Sequence, residues 1–234
     1  MRKIINSIPN SITSGNLLCG CIAIVLAIKG DITTAAYFIF AAAIFDFFDG
    51  FAARLLKAQS PLGLQLDSLA DMVSFGVAPS AIVFYILSVS QRYVSLDLPA
   101  FTPYIAFFIA VFSALRLAKF NIDERQTGSL RGLPTPACSV FVCGLVYFDI
   151  FTATGFYILL VLIPLLCFLL VCELPMFSLK IKKEPDFVKK YSFQLLLLLC
   201  AIAFIAVWQL KGLSVAIALY ILLSVFKTIK FKEK

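Results

Sequence analysis

The sequence predicts an all-α integral membrane protein with about eight transmembrane helices, and three observations carry that reading. Of the 234 residues, 62% are hydrophobic and 14% charged, whereas a soluble domain is about half apolar and a quarter charged. The apolar residues fall into runs close to the roughly 20 residues that cross a bilayer core. The 20 Lys and Arg collect on alternate links between those runs. A soluble core of this length needs a polar exterior that this composition does not supply, which excludes a soluble enzyme, a disordered regulator and a secreted mini-domain.

Taken in order, the runs span about 12–28, 33–53, 64–90, 99–118, 134–152, 155–177, 192–210 and 212–227. The links carry turn and charge residues, as in Lys29-Gly30-Asp31 and Thr154-Gly155. Arg2 and Lys3 precede the first run as they would in a signal peptide, but Ala27-Ile28-Lys29 is not a small-x-small cleavage site. The first run therefore reads as a retained helix. Pro79 predicts a kink in the long third run, and Pro134-Thr135-Pro136 predicts the start of the fifth.

With the N-terminus in the cytoplasm, 17 of the 20 basic residues fall inside, and only Lys29, Arg92 and Lys211 fall outside. This positive-inside asymmetry supports eight spans and predicts that both termini are cytoplasmic; the expected location is a bacterial inner membrane. The net charge of +7 is then an inner-leaflet attribute, suited to anionic headgroups rather than to nucleic acid. The stretch from Lys180 to Lys190 reads as a solvated, lipid-facing cytoplasmic loop. With no internal repeat, low-complexity tract or soluble domain, residues 1–234 form a single membrane domain.

The chain has no histidine, which removes Ser-His triads, His-ligated zinc and imidazole relays and leaves carboxylates as the acid–base groups. The seven cysteines, Cys19, Cys21, Cys138, Cys143, Cys167, Cys172 and Cys200, lie in apolar runs without metal-ligand spacing. They read as small buried hydrophobes.

Four acids stand where an apolar chain should have none. Asp46 and Asp49 close the second run and Asp67 and Asp71 open the third. Spacings of i, i+3 and i, i+4 put each pair on one helix face, and the short connection brings the two faces together at the cytoplasmic ends of helices 2 and 3. Four converging carboxylates need compensating charge, and Arg54 and Lys57 supply it only in part. A hard divalent cation fits better, because an all-oxygen donor set favours Mg²⁺, Mn²⁺ or Ca²⁺ over zinc. Gly50, Ala53 and Gly63 stand beside the acids and let a ligand approach the helix backbone. Intramembrane acids also mark ion paths, so a divalent-cation transporter is a rival reading, but it requires acids spread through the membrane depth.

The full spacing is Asp46-x2-Asp49-Gly50-x2-Ala53-Arg54-x8-Gly63-x3-Asp67-x3-Asp71. It closely resembles the signature of the CDP-alcohol phosphatidyltransferase family, with no departure at its eight fixed positions. The segments Ile8-Pro9-Asn10-Ser11-Ile12-Thr13, Asp71-Met72-Val73-Ser74-Phe75-Gly76-Val77-Ala78-Pro79, Arg116-Leu117-Ala118-Lys119-Phe120-Asn121 and Gly132-Leu133-Pro134-Thr135-Pro136-Ala137 are similar to the phosphatidylserine-forming branch. The resemblance implies a six-helix core over about 1–178, two additional C-terminal helices over about 192–227, and a homodimer.

It further implies displacement of CMP from CDP-diacylglycerol by L-serine, with Asp46, Asp49 and Asp67 holding the metal helped by Asp71. Asp71 would also accept the hydroxyl proton. Gly50, Ala53 and Gly63 would seat the nucleotide, and Arg54 would face its phosphates or brace the carboxylates. Asn10, Thr13 and Asn16 would cap the first helix or touch the nucleotide. The serine carboxylate needs a cationic handle, for which Arg116, Lys119 and Arg131 are the candidates. The signature alone leaves other acceptors open, among them glycerol 3-phosphate and inositol phosphate.

Overall fold

The computed structural model describes residues 2–122, 130–176 and 192–232. The loop from Lys180 to Lys190, expected to face lipid, lies outside the described residues, as does Arg125.

Helix α1 (Arg2–Ile28) runs ten residues further toward the N-terminus than the apolar run that predicted it, with Pro9 inside it. A tight turn follows, with Gly30 at φ +91° and Asp31 accepting the Thr34 N–H at 3.1 Å to cap α2 (Ile32–Leu55). Ser60 caps α3 (Pro61–Asp71) by accepting the Gly63 N–H at 3.0 Å. A wider π-helical stretch, Met72–Val77, leads into α4 (Ala78–Ser90). Pro79 was expected to kink this long helix. The distortion lies in the turn before it: the Ala78 N–H reaches Val73 O, five residues back, and the Ser80 hydroxyl donates to Gly76 O at 2.7 Å. Proline has no N–H and its ring crowds the preceding turn, so the backbone relaxes by widening there.

A 3₁₀ segment, Thr102–Phe107, enters α5 (Phe108–Ile122). Helix α6 (Thr135–Leu145) begins at Pro134 as expected but covers only the first part of the predicted run. Its eleven residues rise about 16 Å, and turns closed by Tyr147 N–H to Gly144 O and Phe148 N–H to Leu145 O end it. Thr154 and Gly155, expected in a link, instead lie in the first turn of α7 (Ala153–Val171), where the Thr152 hydroxyl accepts the Gly155 N–H at 3.0 Å. Helices α8 (Ser192–Trp208) and α9 (Lys211–Lys232) complete the chain.

A two-residue antiparallel pairing of β1 (Leu130–Arg131) with β2 (Pro175–Met176) ties the entry of α6 to the exit of α7. Gly132 holds φ +72° there, and a Cβ on it would sit 2.6 Å from Leu170 O. That position admits only glycine.

Among the described residues, five helical stretches are long and apolar enough to cross a membrane: Ser7–Ile28, Ile32–Leu55, Pro61–Tyr93, Thr102–Ile122 and Ala153–Val171. Shorter apolar helices occupy Thr135–Leu145, Leu199–Trp208 and Lys211–Phe226. The chain is an all-α integral membrane protein. Lipid gives helices no hydrophobic reason to associate, so close fit of small residues must hold them. Ala23 and Ala27 of α1 and Ala35, Ala36 and Ala42 of α2 are fully buried in that way. At Gly20 a Cβ would lie 2.8 Å from Ser74 Cα, so α1 meets the π turn backbone to backbone. Cys21 departs from the buried-hydrophobe reading: it is exposed on the outer face of α1, while Cys19, Cys138, Cys143 and Cys167 are buried.

Candidate active site

Three helix segments converge on one polar region: the first half of α1, the C-terminal end of α2 and α3, which carries Asp67 in its second half and ends at Asp71. Carboxylate oxygens of Asp46, Asp49 and Asp67 all lie within 4.8 Å of one another. Asp71, one turn beyond Asp67, interacts with the Asp46 side chain and is buried. The spacing read from sequence therefore becomes a shared site, because i, i+3 and i, i+4 pairs on two adjoining helices face inward together.

Asp71 is held from α1. The Asn16 Nδ2 donates to Asp71 Oδ1 at 3.3 Å, and the Ser74 hydroxyl donates to Asn16 main-chain O at 3.0 Å. Asn16 is fully buried, which makes it neither a cap nor a surface residue. Because α1 begins at Arg2, Asn10 and Thr13 are interior helix positions as well; the Thr13 hydroxyl donates to Pro9 O at 3.0 Å and its side chain stands beside Asp49. The signal for Asn16 was present in the sequence: Pro9, Thr13, Asn16 and Gly20 recur at helical spacing on one face of α1, and all four are buried.

A cavity of about 690 Å³ opens beside the acids. Pro9, Asn10 and Thr13 line it from α1, Asp49, Gly50, Ala53 and Arg54 from α2, and Ser60, Gly63 and Asp67 from the α3 end. A Cβ placed on Gly50 would meet only Arg54 Nη1, at 3.7 Å, so the absent side chain leaves open space. At Gly63 it would come within 3.1 Å of Asn10 Oδ1, where α3 approaches α1 closely.

Two observations bear on a cation. Among the described residues, no Lys or Arg nitrogen comes within 4.0 Å of the four carboxylates, so their mutual repulsion is not relieved by an ion pair. Asp49 Oδ2 and Asn16 Oδ1 are buried and have no hydrogen-bond partner, an arrangement that native structures rarely leave unexplained. An all-oxygen, anionic donor set with unsatisfied oxygens fits a hard divalent cation.

The three basic candidates have different surroundings. Arg116 is 9% exposed, donates from Nη1 to Thr135 Oγ1 at 3.3 Å, lies 5.2 Å from the Phe120 ring centroid and is within electrostatic range of Asp71. Lys119 is exposed. Arg131 pairs with Glu173 at 3.6 Å on the β1–β2 bridge. Asn121 Nδ2 donates to Ser68 Oγ at 2.8 Å, which ties the end of α5 to α3.

The family model for CDP-alcohol phosphatidyltransferase matches residues 6–181. The chain belongs to that family. As a CDP-alcohol phosphatidyltransferase it is a membrane enzyme of the phosphotransferase class, and the match includes every acid of the site. Its curated relatives include the CDP-diacylglycerol–serine O-phosphatidyltransferase of Bacillus subtilis (strain 168), 40% identical over 131 residues, which are 56% of this chain and 70% of that protein. The enzyme of the same name from Helicobacter pylori (strain J99) is 31% identical over 229 residues, covering 94% of this chain and 90% of the relative. An archaetidylserine synthase from Methanothermobacter thermautotrophicus is 31% identical over 153 residues, 64% of this chain and 60% of its own length.

Proposed function

We propose that the protein transfers a phosphatidyl group from CDP-diacylglycerol to L-serine, giving phosphatidylserine and CMP. The observation that carries this reading is the juxtaposition of three carboxylates within 4.8 Å of one another with a cavity of about 690 Å³ in a chain of this family. The names of the relatives support serine as acceptor, since bacterial and archaeal proteins alike are named for seryl lipids.

In the reaction the serine hydroxyl oxygen bonds to the phosphatidyl phosphorus, the bond from that phosphorus to the bridging pyrophosphate oxygen breaks, and CMP leaves with the electron pair. Asp71 accepts the hydroxyl proton. The Asn16 amide, donating to Asp71 Oδ1, fixes the orientation of that carboxylate. Asp46, Asp49 and Asp67, helped by Asp71, would hold Mg²⁺, Mn²⁺ or Ca²⁺. Such a cation neutralises pyrophosphate charge and the charge that develops on transfer. Gly50, Ala53 and Gly63 leave room for the cytidine nucleotide, Asn10 and Thr13 offer it polar contacts, and Arg54 supplies positive charge at the cavity wall. The acyl chains of the donor remain in the bilayer.

Arg116 is our choice for the serine carboxylate, because a planar guanidinium offers paired donors that an ammonium cannot. Lys119 lies exposed and Arg131 already has Glu173 as partner. The protein works as a homodimer with eight spans, both termini and the site facing the cytoplasm.

Purified protein given CDP-diacylglycerol and a panel of alcohols should release CMP with serine. Release with glycerol 3-phosphate or inositol phosphate but not with serine would overturn the acceptor while leaving the reaction class. In a cysteine-free background, Lys183→Cys should be labelled only from the cytoplasmic side and Arg92→Cys only from outside. Labelling of both from one side would contradict the topology.

A further inference from the structure

The C-terminal helix α9 lies beyond the residues matched by the family model, yet it packs on α6 and on β2. Its register on α6 can be read from two contacts. Ser214 Oγ donates to Phe141 O at 2.7 Å, and a Cβ on Gly144 would lie 2.8 Å from Ser214 N and 3.2 Å from Leu210 O. The start of α9 therefore lies against the end of α6, and its later turns pass β2, which borders the start of α6. The two helices are antiparallel. Six residues beyond Ser214, a rise of about 9 Å, Tyr220 comes level with the first turn of α6. That turn begins with Thr135, the acceptor of the Arg116 N–H.

Tyr220 is 4% exposed, and its phenol is within electrostatic range of the Arg116 guanidinium. A buried guanidinium has five N–H donors in one plane, and its direction must be set by its neighbours if it is to receive a carboxylate in a defined orientation. Here those neighbours come from four helices: Phe120 on its own, Asp71 on α3, Thr135 on α6 and Tyr220 on α9. We infer that Tyr220 is a positioning residue for Arg116, so that α9 completes the pocket for the acceptor's carboxylate.

The inference rests on the proposed serine acceptor, and its test separates the two. Steady-state CMP release is measured for the purified full chain, for Tyr220→Phe, Arg116→Lys and the double variant, varying serine and CDP-diacylglycerol in turn. Tyr220→Phe keeps the ring, and so its packing, but removes the hydroxyl. It should raise the serine KM about tenfold, the size expected for a lost hydrogen-bonding group near a charge, with the CDP-diacylglycerol KM and the melting temperature unchanged. The double variant should show less than the product of the single effects, because both act through one group. A residue that only fills space between α6 and α9 would leave the serine KM where it is or shift both KM values together, and either result overturns the inference. So does a serine KM that responds to Arg116→Lys but not to Tyr220→Phe, although the acceptor assignment then stands. Wild-type protein that uses no serine overturns the assignment and this inference with it.

Discussion

At the end of the α1–α2 hairpin nearest the Lys29–Asp31 turn, Ala23, Ala27, Ala35, Ala36 and Ile39 are wholly buried. At the other end the same two helices, joined by α3, flank a cavity of about 690 Å³ with Asp49, Gly50, Ala53 and Arg54 on its wall. Small residues occur at both ends and have opposite consequences. Where nothing repels, alanines let the backbones close until no space remains. Where carboxylates face one another, closure would bring like charges together, and the same lack of side-chain bulk leaves room for a ligand. Glycine or alanine is thus no indicator of a site by itself. What separates the two ends is the charge beside it.

Substitutions that exchange the properties of the two ends should be graded by their effect on CMP release. The largest effect is expected for Asp67→Asn, which removes a charge and keeps the helix: a loss of at least about 10²-fold, the scale for disturbing electrostatic stabilisation of transfer, with an unchanged melting temperature. Gly50→Val should come next. Its new side chain points into open space beside Arg54, so the protein should fold normally while the KM for CDP-diacylglycerol rises about tenfold, as for a steric misfit of one or two methyl groups. Ile39→Ala opens the sealed end instead. It should cost about 2–5 kcal/mol of stability from the cavity it leaves, measured by thermal unfolding in detergent, with CMP release per folded molecule unaltered. Cys21→Ser, on the exposed face of α1, should alter neither. A comparable loss of turnover from Ile39→Ala and from Asp67→Asn would erase the distinction between the ends.

The site was more legible in the sequence than the packing was. Asp46, Asp49, Asp67 and Asp71 stood out because ionisable groups are rare in apolar runs, and helical spacing then told which faces they share. The turn at Gly30 and the start of α6 at Pro134 were legible for a similar local reason, since a turn glycine and a first-turn proline act within a few residues. Burial was not legible. In a membrane the exterior is as apolar as the interior, so exposed Leu18, Val25, Phe47 and Phe51 look in sequence like buried Ile39 and Phe75. The same degeneracy hid Cys21 on the outer face and the early end of α6. The π turn at Met72–Val77 needed more than the sight of Pro79, because a helix can absorb a proline by bending or by widening. Asn16 and Tyr220 owe their significance to neighbours 55 residues away in one case and on a separate C-terminal helix in the other. The helical spacing of Pro9, Thr13, Asn16 and Gly20 marks the face on which Asn16 lies, but it does not name Asp71 as the partner.

Whether the acidic end of α2 and α3 acts through a bound divalent cation is tested most directly by titration of the purified enzyme with chelator and metal. With CDP-diacylglycerol and serine both saturating, CMP release should fall to background in excess chelator and return in full when Mg²⁺ or Mn²⁺ is added back, while Asp67→Asn protein treated in the same way recovers little. Undiminished serine-dependent CMP release from wild-type protein in excess chelator would contradict a role for the cation.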